Sequence, residues 1–316
     1  MTNSRKLGIL IGILAILIIL FLGVGLNSTN FNYALSRRIP RILAILLTAG
    51  TIAISTVMFQ TITNNRILTP SIVGLDSLYL LVQTIIVFFF GSASIFVVNN
   101  NLNFIISVGF MVMFSMLLYR VLFKKREANI FLLLLMGLIF GTLFQSLSSF
   151  MQVLIDPNEF TLIQGKMFAS FNNMNTSILW VAAVVVSGVL IYSYRHYKRL
   201  DVLLLGKENA VNLGIEYDRV VEELFIATAI LISISTALVG PITFLGLLVV
   251  NLSRQLLDSF KHKDLLISSV LMGSIALVGG QLIVERLMNF NTPLSVVINF
   301  IGGLYFIYML LKENKI

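Results

Sequence analysis

The chain has 316 residues, of which 58% are hydrophobic and only 11% are charged, and this composition excludes an ordinary soluble domain. A formal charge of +8 is also found in proteins that bind nucleic acid. Lys and Arg collect on the cytoplasmic side of membrane proteins, however, so we interpret the charge as a topology signal and expect no nucleic-acid partner. The sequence therefore predicts an all-α polytopic protein of the lipid bilayer, organised as one transmembrane domain over residues 1–316.

Ten hydrophobic runs predict about ten spanning helices. The first run follows a basic start like that of a signal peptide, but no small-residue cleavage site follows it cleanly, so we expect it to be retained as the first span. The eighth run is short and begins at Gly240 and Pro241, which favours a broken or partly re-entrant span. The longest outer interval, 152–176, is predicted to contain a short interfacial helix. The runs lie near residues 7–26, 42–60, 72–90, 102–122, 130–151, 177–194, 221–238, 244–257, 265–284 and 295–311.

The distribution of basic residues predicts the orientation. With the N-terminus inside, 17 of the 22 Lys and Arg residues fall in cytoplasmic segments, which include Lys124, Lys125, Arg126 and Lys315. The positive-inside rule then places both termini in the cytoplasm. The other five basic residues lie outside, and they are Arg37, Arg38, Arg41, Lys166 and Arg286.

The longest polar interval between two spans, residues 195–219, predicts a short helix on the cytoplasmic face. Gly206 and Gly214 bracket the segment 207–213, and Glu208 lies near the predicted helix N-terminus, where the macrodipole favours an acid. Such a helix suits docking into a groove on a soluble partner, and the alternative is a helix that only rests on lipid headgroups. Its apolar positions recur at three- and four-residue spacing, and they are Ala210, Val211, Leu213 and Ile215.

Arg37, Arg38 and Arg41, just before the second span, need an explanation, because the outer face should hold few cations. One interpretation is that interfacial Arg side chains extend to lipid phosphates. The other is that Arg38, Arg41 and Arg286 present guanidinium groups to carboxylates of an extracellular partner.

The sequence disfavours an enzyme and an ion-coupled carrier. His196 and His262 fall in predicted cytoplasmic loops, where we expect solvated side chains. No G-x-x-x-x-G-K-[ST] motif occurs, so the chain does not itself bind ATP through a P-loop. The predicted spans hold few ionisable residues, with Asp76 near the inner end of the third span and Glu285 at the outer end of the ninth. If transport happens, its energy is expected to come from elsewhere.

Several short motifs occur along the chain in an order that is informative when they are taken together. They are Arg38-Ile39-Pro40-Arg41 opening a span, Gln60 followed by Asn65, Pro70 and Gly74, the Leu205 to Gly214 block, Gly240-Pro241-Ile242 followed by Phe244, Leu245 and Gly246, and a last span after Pro293. Together they resemble the FecCD-type permeases, the membrane subunits of ABC importers for ferric siderophores, haem and cobalamin. The resemblance covers nearly the whole chain.

Departures from the family pattern indicate a branch. The strings TNNRILTPSIVGLDSLY and QGKMFASFNN resemble the permeases for ferric catecholate siderophores, including the petrobactin and anguibactin permeases. Lys166 on the outer side would suit an anionic chelate at the entrance of the substrate path. The departures are Arg66 in place of Pro, Thr243 in place of Gly, Val250-Asn251 in place of Pro-His, and Lys166 and Ala169 in place of Trp and Gly.

The resemblance implies roles for the candidate residues. Arg38, Arg41 and Arg286 match positions that resemble contacts for a substrate-binding lipoprotein or periplasmic protein. ATP and magnesium are then expected on a separate dimer of ATPase subunits, with no cofactor bound by this chain, and a second, different permease is expected to complete a heterodimer. The coupling helix that enters the ATPase cleft would carry Gly206, Glu208, Ala210, Leu213 and Gly214.

The sequence thus predicts a type II ABC importer permease for a ferric siderophore in a bacterial cell membrane. A haem or cobalamin importer permease is the alternative within this class. A secondary carrier or channel is a more distant alternative, since it would need an ion-coupling site that the spans do not offer.

Overall fold

A computed structural model describes residues 2–26, 31–123, 130–172, 174, 176–257 and 259–313, and the regular secondary structure of these residues is entirely helical. The predicted cytoplasmic residues Lys124, Lys125, Arg126 and Lys315 lie outside the described residues. The helices of 12 or more residues are α1 (Asn3–Gly23), α2 (Phe31–Thr63), α3 (Leu75–Phe90), α5 (Asn100–Phe123), α6 (Ile130–Leu154), α8 (Thr176–Arg195), α11 (Tyr217–Val239), α12 (Leu245–Leu256), α13 (His262–Arg286) and α14 (Leu294–Glu313). The shorter helices are α4 (Ile95–Val98), α7 (Pro157–Lys166), α9 (Tyr197–Leu203) and α10 (Lys207–Asn212), and a 3₁₀ turn covers Pro70–Val73.

Each of the ten predicted spans corresponds to one of the ten long helices. Seven of these helices are long and apolar enough to cross a membrane. The other three are shorter apolar helices, over Leu75–Phe90, Leu245–Leu256 and Leu294–Met309. The prediction of an all-α, multi-pass membrane protein is therefore confirmed.

Helix α2 forms the centre of the bundle. Its 33 residues extend over roughly 50 Å at 1.5 Å per residue, and every residue from Thr48 to Thr63 is buried. It packs against α8, α11, α12 and α13. Small residues allow these close contacts, since a Cβ atom added at Gly246 of α12 would clash with the Thr56 hydroxyl.

The start of α2 differs from the predicted span, which begins at residue 42. The helix begins at Phe31 and contains Pro40. Proline lacks the N–H that would bond to the carbonyl of Ser36, but Ser36 is exposed, so solvent can satisfy that carbonyl. The helix therefore continues through the proline and begins about three turns before the predicted boundary.

Contacts between α2 and α13 define the two ends of the bundle. Thr61 of α2 contacts His262, the first residue of α13, whereas Arg41 contacts Glu285 at the other end of α13. The two helices are therefore antiparallel. We call the end with Thr61 and His262 the α10 end, because α9 and α10 lie there, and the end with Arg41 and Glu285 the arginine end. Lys6 in the first turns of α1 donates to the carbonyl of Leu256, where α12 ends.

The predicted break in the eighth span is present. Residues 240–244 between α11 and α12 are non-helical, and Gly240, Pro241 and Ile242 are buried. Helix α12 has 12 residues, so it extends over roughly 18 Å, which is less than the hydrocarbon core of a bilayer. Neighbouring segments satisfy the free backbone groups: Asn299 accepts from the N–H of Phe244 at 3.3 Å, and the carbonyl of Val239 accepts from Ser170 at 2.8 Å.

The outer interval contains the predicted short helix, α7. Pro157 occupies its first turn, and the Asp156 carboxylate accepts from the N–H of Asn158 as the N-cap. Its side chain Ile163 is buried, and α7 packs against α3. Downstream, a Cβ atom added at Gly240 would approach the Cα atom of Ala169 to 2.9 Å, so the segment after α7 lies directly on the break before α12.

Close packing of α6 against the 3₁₀ turn gives a stability prediction. A Cβ atom added at Gly137 would lie 2.8 Å from the Cα atom of Val73, whereas one added at Gly109 in α5 would meet nothing within 4 Å. We expect Gly137→Ala to destabilise the protein by about 1–3 kcal/mol through overpacking. Gly109→Ala is the matched control and is expected to raise stability slightly, by about 0.5–1 kcal/mol, because alanine loses less backbone entropy in a helix than glycine does. Thermal unfolding of both variants in mild detergent tests this, and equal midpoints would contradict it.

Candidate functional site

Helix α10 has the predicted form, ending one residue earlier than expected. It begins after Gly206, with φ of +89°, and Leu213 and then Gly214, with φ of +84°, follow its last turn. Both angles lie in the left-handed region, which glycine adopts without steric cost. Glu208 lies in the first turn and is exposed. The two glycines therefore set where the helix starts and how the chain leaves it.

The apolar residues of α10 and its flanks face two directions. Ala210 is fully buried, whereas Leu205, Val211 and Leu213 are more than half exposed. Three exposed aliphatic side chains around one short helix form a small apolar surface, which we call the α10 patch. Ala210 anchors the helix to the protein, and the α10 patch stays available to a partner.

A buried histidine joins α9 to the transmembrane helices. The carboxylate of Asp201 in α9 accepts from the backbone N–H of His262 at 2.8 Å, and it lies 2.7 Å from Nδ1 of the same residue. The Nε2 atom of His262 lies 2.9 Å from the hydroxyl of Thr61 in α2. The side chain of His262 is 1% exposed. One residue therefore connects the α9–α10 region to both α2 and α13.

The prediction that His262 is a solvated loop residue is wrong. The carboxylate of Asp201, 61 residues upstream, bonds to the N-terminal residue of α13 and draws His262 into the bundle. Hydrophobicity gives no sign of such a contact. His196 is half-buried, with its Nδ1 atom 2.9 Å from the carbonyl of Tyr192.

The structure brings the three predicted arginines together at the arginine end. Arg41 forms a salt bridge of 2.6 Å with Glu285, and the two side chains are only 19% and 10% exposed. Arg38 donates to the carbonyl of Leu22 at 2.6 Å, and Arg286 donates to the carbonyl of Val24 at 2.7 Å. Each guanidinium group has five N–H donors, so these bonds leave donors for further acceptors.

A polar cavity of about 450 Å³ lies between α3, α6, α14 and the break before α12. This site was missed from the sequence, although one signal for it exists. Gln145, Ser148, Ser149 and Gln152 follow the spacing i, i+3, i+4, i+7, so they form a polar stripe along one face in the second half of α6. The polar side chains that line the cavity include Asp76, Gln145, Ser149, Gln152, Thr243 and Asn299.

Asp76 lies deeper in the bundle than its predicted place near the inner end of the third span. Its carboxylate accepts hydrogen bonds from Thr236 at 3.2 Å and from Thr243 at 3.4 Å. Thr236 is 19 residues from the start of α11, a distance of roughly 28 Å from the α10 end. Residues 64–74 lead the chain back into the bundle before α3 begins, so the second residue of α3 is already deep.

Lys166 lines a smaller cavity of about 280 Å³ together with Tyr79, Ser170 and Gly240. It is half-buried, and burial lowers the pKa of its ammonium group because the low-dielectric surroundings disfavour the charge. Phe168 lines both this cavity and the one around Asp76. The role of Lys166 at the entrance of a substrate path stays a prediction.

Two departures from the family pattern contact each other. The side chain of Asn251 donates to the backbone carbonyl of Arg66 at 3.0 Å, and Gln60 donates to the same carbonyl at 2.8 Å. Thr243, a third departure, donates to Asp76. The departures thus lie in the segments that border the α2–α3 connection and the cavity.

Comparisons with known proteins agree with the resemblance. The model of the FecCD transport family matches residues 7–312. The petrobactin import system permease protein YclO of Bacillus subtilis (strain 168) is 59% identical over 315 residues, which cover 100% of this chain and 99% of YclO. The petrobactin import system permease protein FatC of Bacillus anthracis is 35% identical over 293 residues, which cover 93% of this chain and 83% of FatC.

A solved structure has the same fold. It is an inward-facing conformation of a transporter assigned to the metal-chelate type of ABC transporters, and it superposes with a TM-score of 0.85. The match covers 98% of this chain and 100% of that one at 24% sequence identity.

Proposed function

Because the chain belongs to the FecCD transport family, we propose that it is the membrane-spanning permease subunit of an ABC importer that carries a ferric siderophore of the petrobactin type into the cytoplasm. The observation that carries this proposal is the 59% identity to a petrobactin import permease along the whole chain. The haem and cobalamin alternatives have no comparable support.

The relatives are named as components of import systems, so the chain works with partner subunits. The α10 patch is the proposed docking site for a dimer of ATPase subunits, which would bind ATP and magnesium. Exposure of Leu205, Val211 and Leu213 beside the charged residue Glu208 supports this role. A second, different permease would complete the transmembrane path as a heterodimer.

At the arginine end we propose docking of an extracellular substrate-binding protein. The donors that Arg38 and Arg286 retain would bind carboxylates on that protein, and Lys166 would lie near the path entrance. We propose an orientation in which both termini lie in the cytoplasm of a bacterial cell. In support, Lys6 of α1 lies at the same end of the bundle as α10.

The proposed mechanism is a population shift between two conformations, in which the path opens to one side of the membrane or to the other. ATP binding closes the ATPase subunits and moves α10 with them. Bonds from Asp201 through His262 to Thr61 provide the physical connection from α9 to α13 and α2. Movement of α10 therefore changes the packing of the helices that surround the path, with no chemistry performed by this chain.

Radio-iron uptake tests the proposed cargo. In cells that lack this chain and any redundant petrobactin permease, we expect uptake from ferric petrobactin to be lost and to return with the wild-type chain. Uptake of haem and cobalamin in the same cells is the control and is expected to stay unchanged. Retained uptake from ferric petrobactin, with loss of haem or cobalamin uptake, would overturn the siderophore assignment.

A further inference from the structure

The cavity around Asp76 has the properties of a binding site. We infer that it contacts the cargo during passage and that the Asp76 carboxylate binds a protonated amine of the organic part of the chelate. This inference rests on the proposed function, and it identifies the chemical group of the cargo that the substrate path would bind.

The first argument concerns charge. The side chains that bond to Asp76 are the hydroxyls of Ser71, Thr236 and Thr243, and no salt bridge found among the described residues includes Asp76. A carboxylate has about four acceptor positions, so capacity for another donor remains. An intramembrane carboxylate without a cation is costly, and such residues commonly mark substrate pathways.

The second argument concerns water. Gln145 and Ser149 are exposed in the second half of the apolar helix α6, on the face that lines the cavity. Polar side chains within spans face the bundle interior or a water-filled cavity and seldom face lipid. The same helix also has exposed apolar side chains, since Phe150 and Val153 are 66% and 84% exposed, and these suit contact with lipid. The polar face is therefore the one suited to a hydrated path.

The third argument concerns rigidity and size. The hydroxyls of Thr84 in α3 and Ser148 in α6 lie 2.8 Å apart, and Gln152 donates to both. This network joins α6 to α3 beside the cavity, since Ser148 and Gln152 also line it. The cavity volume of about 450 Å³ falls within the range of small-molecule sites.

The negative charge and the acceptor oxygens of Asp76 indicate which part of the cargo would bind there. No cluster of three or more His, Cys, Asp or Glu residues that could hold a metal ion occurs among the described residues, so the cavity does not suit bare iron. Catecholate oxygens around ferric iron are anionic, and Asp76 repels them. A protonated amine in the backbone of the chelate provides both the opposite charge and the N–H donors that a carboxylate binds best.

The first test uses the chain's lack of cysteine, because a cysteine introduced by Ser149→Cys is then the only thiol. Purified protein is treated with a cationic aminoethyl and an anionic sulfonatoethyl methanethiosulfonate. For each variant we take the ratio of the modification rate by the cationic reagent to that by the anionic reagent. We expect this ratio to be about tenfold or more higher for Ser149→Cys alone than for Ser149→Cys combined with Asp76→Asn. Ser149→Cys with Asp156→Asn is the matched control, because Asp156 caps α7 outside the cavity and Asn caps equally well. An unchanged ratio after Asp76→Asn would overturn the inference, whatever the cargo is.

The second test measures ATP-driven uptake from ferric petrobactin. Asp76→Asn keeps the size and the acceptor oxygen but removes the charge, so we expect uptake to fall about tenfold or more. Asp76→Glu is expected to retain more uptake than Asp76→Asn, and Asp156→Asn is expected to match wild type. Wild-type uptake by Asp76→Asn would overturn the inference and leave the proposed function intact. Absence of uptake by wild type itself would remove the proposed function instead.

Discussion

Replacing Gly214 with Val is expected to abolish most ATP-driven uptake while leaving the chain folded in the membrane. Gly214 has φ of +84°, and a Cβ atom added there would meet nothing within 4 Å. The effect would therefore come from backbone conformation, since a β-branched residue is an outlier at positive φ. Strain of about 1–3 kcal/mol would reduce the docking-competent population by roughly 5- to 160-fold.

The structure indicates what this strain would change. The N–H of Gly214 bonds to the carbonyl of Val211, and the N–H of Ile215 bonds to the carbonyl of Ala210. Both bonds close the last turn of α10, so a new backbone conformation at Gly214 reorients the α10 patch.

Gly188→Val in α8 is the matched control for this prediction. It makes the same chemical change at an exposed helical glycine without positive φ, and its added Cβ atom also meets nothing within 4 Å. Substrate-stimulated ATP hydrolysis and uptake are measured for both variants in the assembled importer. Glu208→Trp is expected to act in the same direction as Gly214→Val. Wild-type hydrolysis in Gly214→Val and Glu208→Trp would contradict the assignment of α10 as the coupling helix.

Removing the Glu285 carboxylate is expected to cause the largest loss of stability. Arg41 and Glu285 are 2.6 Å apart and mostly buried, so Glu285→Ala leaves the guanidinium charge of Arg41 without its partner. Breaking a buried pair in this way costs about 3–5 kcal/mol. Gln281 also loses an acceptor, because its amide donates to the same carboxylate at 3.0 Å.

Thermal unfolding in detergent measures this loss. Glu216→Ala is the control, because Glu216 and its partner Arg219 are 74% and 71% exposed and such pairs contribute little. The exchange Arg41→Glu with Glu285→Arg is expected to recover part of the stability. An unfolding midpoint for Glu285→Ala equal to that of wild type would show that the pair does not hold α2 to α13.

The helices were predictable because each is encoded by consecutive residues. Apolar runs located all ten long helices, and the positive-φ positions at Gly206 and Gly214 coincide with the glycines that delimit α10. The break at Gly240-Pro241 was predictable for the same reason, since it depends on the local chemistry of glycine and proline.

Contacts between distant segments were not predictable in this way. Arg38, Arg41 and Arg286 lie at one end of the bundle, but the pairing of Arg41 with Glu285 joins residues 244 positions apart. The burial of His262 depends on Asp201 in another helix. The depth of Asp76 depends on how residues 64–74 re-enter the bundle. Only the polar stripe from Gln145 to Gln152 was readable in the sequence as a sign of the cavity.

Transport by the reconstituted importer tests the central claim most directly. This chain, its partner permease and the ATPase subunits are placed in proteoliposomes, with the substrate-binding protein and ferric petrobactin added on the side of the arginine end. The account predicts accumulation of ferric petrobactin that requires ATP and is lost with Gly214→Val. Accumulation without ATP, driven by a proton or sodium gradient, would contradict it and identify the chain as a carrier.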